Sequence, residues 1–230
     1  MPRRKNKAIK TEAFYVDTNI ALDYITGRNP EAIFILDSLK GMGAIIISSS
    51  FLVMEAADYK KDSIYLGQKA IIGKWEMRKI IRQSYEKSLE EEDFDEVSSW
   101  IEALKSKLEL ELYDFLVDTD TWELAQYISE SSNLAAPDVI HLSSAIIAAK
   151  GGIENAYGTV IPCKIFISND GFLKTEAEKI KQQLDISYPN ILTLSEIKKK
   201  FITEKEEVKE MGTKGRKNVK KPKQKKEKKK

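Results

Sequence analysis

Short apolar runs alternate along the chain with longer stretches whose apolar residues recur at helical spacing. Ala13–Val16 and Ala44–Ser48 read as strands buried in a sheet, and Tyr113–Val117, Lys164–Ile167 and Ile191–Leu194 read as further strands. Between them the helical period appears over Thr18 to about Gly27, over Pro30–Leu39 and again from Ser49 or Ser50 onward. Residues 60–112 contain no proline and carry two apolar faces, Trp75, Met77, Ile80, Ile81 and Trp100, Ile101, Leu104, Leu108. They predict a helical hairpin whose connection is the acidic run Glu90–Asp95. Asp118–Thr121 caps a helix running to about Ser129, Ala136-Pro137 opens another, Gly151–Pro162 is a longer loop, and Phe172–Gln183 is helical. A charged helix leaves from Ser195, and disorder is expected beyond Gly212. Strands alternating with helices predict an α/β fold: a Rossmann-like three-layer sandwich with a central parallel sheet. The expected organisation is a basic arm at 1–12, one domain over 13–200 with the insert at about 60–112, and a charged extension with a Lys-rich tail over 201–230.

Charge changes this picture more than composition does. The net +2 of the 230 residues hides an acidic body between two basic ends. Residues 212–230 hold eleven Lys or Arg against one Glu, and residues 1–10 hold five basic residues and no acid. Such ends attract polyanions, although a merely solubilising tail has the same composition. The single cysteine, Cys163, excludes a disulfide framework and cysteine-based zinc; it opens an apolar run and reads as a buried, inert thiol. His141 is the single histidine, so a histidine-rich metal site is excluded and a metal would be held by oxygen. No stretch reaches membrane-spanning length and no apolar h-region follows the basic N-terminus, so the expected location is the cytoplasm.

Four acids stand where strands end: Asp17 after Phe14-Tyr-Val16, Glu55 beyond Ile45-Ile-Ile-Ser-Ser-Ser50, Asp138 in Ala136-Pro-Asp138, and Asp170 after Ile165-Phe-Ile-Ser-Asn169. In a parallel sheet, ligands bind outside the carboxyl ends of the strands. Carboxylates gathered there repel one another unless a cation lies between them. A hard divalent ion suits such ligands and supplies what phosphodiester hydrolysis needs, an activated water and a Lewis acid. Each acid also has an ordinary structural role open to it. Asp17 suits an N-cap, Glu55 a salt bridge within its apolar segment, Asp138 the first turn of a helix, and Asp170 an Asx turn. Asp23 and Asp58 lie deeper in their helices and Asp120 looks like a cap, so they rank behind the four. His141, one turn after Asp138, is read first as a packed, hydrogen-bonded residue and second as a base.

Together, Val16-Asp-Thr-Asn19, the serine-rich strand end before Glu55, Pro137-Asp-Val-Ile-His-Leu-Ser-Ser-Ala145 and Ile167-Ser-Asn-Asp-Gly-Phe172 resemble the PIN domain family over roughly residues 13–197. That family includes toxin nucleases of toxin–antitoxin pairs and ribosomal-RNA-processing endonucleases. The resemblance implies a metal-dependent endoribonuclease using Mg2+ or Mn2+. Asp17, Glu55 and Asp138 would be core metal ligands, Asp170 would serve a second metal or its water, and Thr18, Asn19 and Ser168 would support them. It also implies RNA as a partner, with an antitoxin protein or a ribosomal particle and a homodimer as further possibilities. The 83 positions from Glu55 to Asp138 exceed the spacing in compact toxin members, which puts an ordinary antitoxin-binding surface in doubt. Two other readings compete: a catalytically silent PIN-like RNA-binding or scaffold protein, and a haloacid-dehalogenase-type phosphohydrolase. The latter expects a second Asp where Asn19 stands.

Overall fold

The computed structural model describes residues 12–71, 89–154 and 158–203. Five parallel strands form the centre, β1 (Ala13–Val16), β2 (Ile45–Ser49), β3 (Leu110–Tyr113), β6 (Ile165–Ile167) and β7 (Asn190–Leu192), in the spatial order β3-β2-β1-β6-β7. Every residue of β1 is buried, which is why it reads as an unbroken apolar run. Successive side chains point to opposite faces. Phe14 and Val16 enter one core with Ile46, Ile165 and Ile167, whereas Ala13 and Tyr15 enter the other with Ile47, Phe166 and Ile191.

The first face is covered by α1 (Thr18–Thr26), α2 (Pro30–Gly41), the early turns of α3 (Phe51–Ile71), α4 (Glu91–Leu108) and α8 (Leu194–Ile197). The second is covered by α5 (Thr119–Ser131), α6 (Ala136–Gly151) and α7 (Gly171–Gln183). The result is the three-layer α/β sandwich that the alternating pattern predicts. Helices α3 and α4 both belong to the crossover from β2 to β3. They are joined side by side by stacking of Tyr59 on Trp100 at 6.2 Å, by a Lys60–Glu96 ion pair at 2.5 Å and by Gln68 donating to Asp93. The apolar face expected at Trp75–Ile81 lies outside the described residues.

Several local expectations are corrected. The Glu90–Asp95 run is a helix start, not a connection. Glu90 is the N-cap and forms a capping box with Asp93, while Glu91 and Glu92 sit where the helix dipole favours acids. The third strand lies at Leu110–Tyr113, three residues earlier than expected, because Glu109 adopts a left-handed conformation (φ 51°) and ends α4 at once. Residues 151–162 include a small antiparallel pair, β4 (Ile153–Glu154) with β5 (Val160–Ile161), where a loop was expected. Gly152 enters it with φ 73°, and a Cβ there would stand 2.6 Å from Val160 Cγ1 and 2.8 Å from the Ile161 carbonyl oxygen. The last strand starts at Asn190, and the helix after it has Thr193 as its N-cap in a capping box with Glu196. It continues as a π-helical turn over Lys198–Thr203.

Candidate functional site

The strand order reverses at β1. The chain builds outward through β2 and β3, then returns to place β6 and β7 on the other side of β1. The crevice at such a reversal is where open α/β sheets bind ligands. Val16 is level with Ile167, so Asp17 and Ser168 face each other across its mouth. The Ser168 hydroxyl donates to Asp17 Oδ2 at 2.8 Å. Asp17 occupies the N-cap position of α1, yet its carboxylate makes no capping hydrogen bond. It is only 6% exposed. Burial raises its pKa and the Glu55 carboxylate adds to this, while His141, Ser168 and the Thr18 amide oppose them.

Glu55 lies in the second turn of α3, half-buried among apolar neighbours. Its Oε2 accepts from Thr18 Oγ1 at 2.5 Å and stands 2.6 Å from His141 Nε2. Burial alone would raise Glu55, but His141 and Thr18 more than reverse that and leave it lowered. His141 projects from α6 and is 1% exposed. Its other nitrogen, Nδ1, lies 2.9 Å from the Tyr15 hydroxyl, which in turn accepts from the Ser49 amide at 3.2 Å. Burial works against an imidazolium here. Tyr15, Glu55 and Asp17 outweigh it and push His141 up to about 10. The direction of the shift favours the imidazolium over the neutral ring beside these acids.

Asp138 stands in the first turn of α6, half-buried. Burial raises it first, and the carboxylates of Asp17, Asp170 and Glu55 raise it further, with His141 opposing. All four acids thus share one electrostatic neighbourhood. Asp170 differs in its engagements. It is the N-cap of α7, and its Oδ1 accepts from the Phe172 and Leu173 amides at 2.7 and 3.0 Å. Its own amide donates to Ser168 Oγ. Thr18 and Ser168 are buried contacts of Glu55 and Asp17, whereas Asn19 is exposed on α1.

The donors are carboxylate oxygens, the type a hard divalent cation takes; burial is the main cause that raises Asp17 and Asp138, and neighbouring carboxylates add to it. Among the described residues no group of three His, Cys, Asp or Glu side chains is placed to hold a metal ion. Glu55 meets His141 and Thr18 through Oε2 alone, so Oε1 is the atom that would join Asp17 and Asp138 around an ion. Reading residues one by one underrates two members of this site. Tyr15 sits inside an apolar strand, where a phenol needs a buried hydrogen-bond partner, and that need was the available signal. Ser49 looks like a strand-end residue, and nothing in the sequence shows that its amide would meet Tyr15.

Comparison with protein-family models gives no match, and no curated protein matches the chain. Among solved structures, the crystal structure of VapBC2 from Rickettsia felis bound to a DNA fragment from their promoter matches with 17% sequence identity and a TM-score of 0.41. The match covers 79% of this chain and 96% of that one.

Proposed function

We propose that the chain is a PIN-type, metal-dependent endoribonuclease. What supports the reading is the position of Asp17 at the carboxyl end of β1, where the strand order reverses, together with Asp138, which is raised by burial and then by the charges of Asp17, Asp170 and Glu55. Asp17 and Asp138 would hold Mg2+ or Mn2+, joined by Glu55 through Oε1 while Oε2 stays on His141 and Thr18, with Asp170 contributing through the carboxylate oxygen that does not cap α7. Bound there, the ion would activate a water and draw off charge from the phosphoryl oxygens. Ser168 fixes the Asp17 carboxylate through its hydroxyl. Thr18 and His141 keep Glu55 ionised, and Tyr15 fixes the imidazole plane. The basic ends would gather RNA phosphate around an otherwise acidic body.

One observation favours the silent RNA-binding alternative: Glu55 Oε2 already has a protein partner, His141 Nε2 at 2.6 Å. Titrating Mg2+ or Mn2+ into the full chain with 5′-labelled single-stranded RNA separates the two. An endonuclease gives internal cuts that appear with metal and vanish with EDTA. RNA binding without products at any metal concentration would leave the scaffold reading standing.

A further inference from the structure

Beside the acids, at the carboxyl edge of β2 and β3, lies a cleft of about 410 Å³ that none of the four acids lines. Its walls include Phe51 at the start of α3, Tyr113 and Phe115 at and beyond the end of β3, and Trp122 on α5. Tyr113 and Phe115 stack on each other with centroids 5.8 Å apart and planes at 30°, which fixes the orientation of both rings. Trp122 is 54% exposed. Met54, which also lines the cleft, is 64% exposed, so the rim carries open apolar surface from two side chains, and apolar patches of this kind mark interaction sites.

A second observation is independent of the rings. Ser49 and Ser144 also line the cleft and are buried to 4% and 1% exposure, yet neither hydroxyl has a hydrogen-bond partner among the described residues. The adjacent Ser143 shows the ordinary solution, donating back to the Val139 carbonyl in its own helix. A buried hydroxyl without a partner is unfavourable; both serines lie in the wall of the cleft with their oxygens closed to solvent, and a χ1 rotation would offer each to a ligand's polar edge. The cleft is also joined to the acid site. The edge of Phe51 meets the His141 ring at 5.8 Å, so a single side chain lies between the cleft and the partner of Glu55.

The chemistry of the occupant follows from the lining. No Lys or Arg lines the cleft and Asp114 does, which disfavours a phosphate. A purely apolar side chain would cover the rings and leave both hydroxyls unpaired. A planar heterocycle with hydrogen-bonding edges answers both features. Hydroxyls donate and accept, so they serve the edge of any base. The base must be unpaired, since bases in a duplex have their faces and edges occupied.

We propose that this cleft is a nucleobase subsite, in which the aromatic wall stacks one unpaired base of a single-stranded RNA and Ser49 and Ser144 bind its edge. The subsite rests on the ribonuclease reading for its purpose, but its binding can be measured apart from cleavage. The test uses the full chain, a fluorescein-labelled single-stranded RNA and a set of the same RNA with an abasic ribose at each position in turn. Affinity is read by anisotropy in EDTA. Trp122→Ala removes an exposed ring and is checked for an unchanged melting temperature. Ser144→Ala tests the hydroxyl.

One abasic position is expected to weaken binding to the native chain by about 5- to 150-fold, the range of a single base–aromatic stack. Trp122→Ala should bind the intact RNA with a loss in that range and be insensitive to that abasic position. Ser144→Ala should show a smaller loss confined to the same position. Equal abasic penalties in the native chain and Trp122→Ala, an unchanged affinity of Trp122→Ala, or no RNA binding at all would overturn the subsite. The two readings fail separately. Metal-dependent cleavage without the abasic effect leaves the nuclease and removes the subsite. The abasic effect without cleavage in Mg2+ or Mn2+ leaves the subsite and removes the nuclease.

Discussion

The buried His141–Glu55 pair makes the metal-free protein's stability depend on pH in a direction that can be worked out. His141 has an ordinary value of 6.5 and is raised to about 10 in the fold. A group whose folded pKa lies above its unfolded one stabilises fully below the unfolded value and loses that contribution as pH rises through the folded one. The window is therefore about pH 6.5 to 10. Each tenfold change in proton affinity is worth about 1.4 kcal/mol, so the window sets a ceiling of about 5 kcal/mol. That is a large part of the 5–15 kcal/mol typical of a domain. Urea unfolding in EDTA at pH 6.5, 8 and 9.5 measures it, with Glu55→Gln alongside. The native protein should lose stability steadily across the series, and Glu55→Gln, which removes the carboxylate on Nε2, should lose clearly less. Parallel pH profiles for the two proteins would refute the placement of the imidazolium beside Glu55.

Two further perturbations test parts of the fold away from the acids. Gly152→Ala combines a positive φ with a Cβ pressed on the Ile161 carbonyl, and should cost about 1–3 kcal/mol in urea unfolding; a neutral result would mean that β4 and β5 do not approach as described. Cys163 is 1% exposed and its thiol is pushed up to about 12, chiefly by burial, with Glu12 adding and a Tyr15 backbone hydrogen bond opposing. Its reaction with a thiol reagent at pH 8 should therefore be negligible in native protein and rapid in urea. Rapid labelling of the native protein would place Cys163 at the surface.

The order of elements was legible because the sheet is parallel and covered on both sides, so its strands stand out as short apolar runs between amphipathic helices. Boundaries were less legible where a backbone event, not a side-chain pattern, decides them. Glu109 turns left-handed and starts β3 three residues before the aromatic run that looked like the strand. Residues 151–162 have too few apolar positions to reveal that Ile153 and Ile161 pair. The sequence shows where the four acids stand relative to the strands, but not which residues they meet. Each contact that defines the site spans distant parts of the chain: Ser168 to Asp17, Thr18 and His141 to Glu55, Tyr15 to His141. Periodicity carries no information at such separations. Asp170 shows the converse, since a local Asx-type reading anticipates the cap it provides for α7.

The account stands or falls on the Asp17 carboxylate. Asp17 sits at an N-cap without capping, buried and tied to Ser168. Cleavage of single-stranded RNA in Mg2+ or Mn2+ should fall by about a hundredfold or more in Asp17→Asn, at least as much as loss of an outer-shell partner costs, with circular dichroism and melting behaviour kept. Asp17→Asn that cleaves as fast as the native chain, at the same metal concentration, would contradict the assignment of this site as the hydrolytic centre.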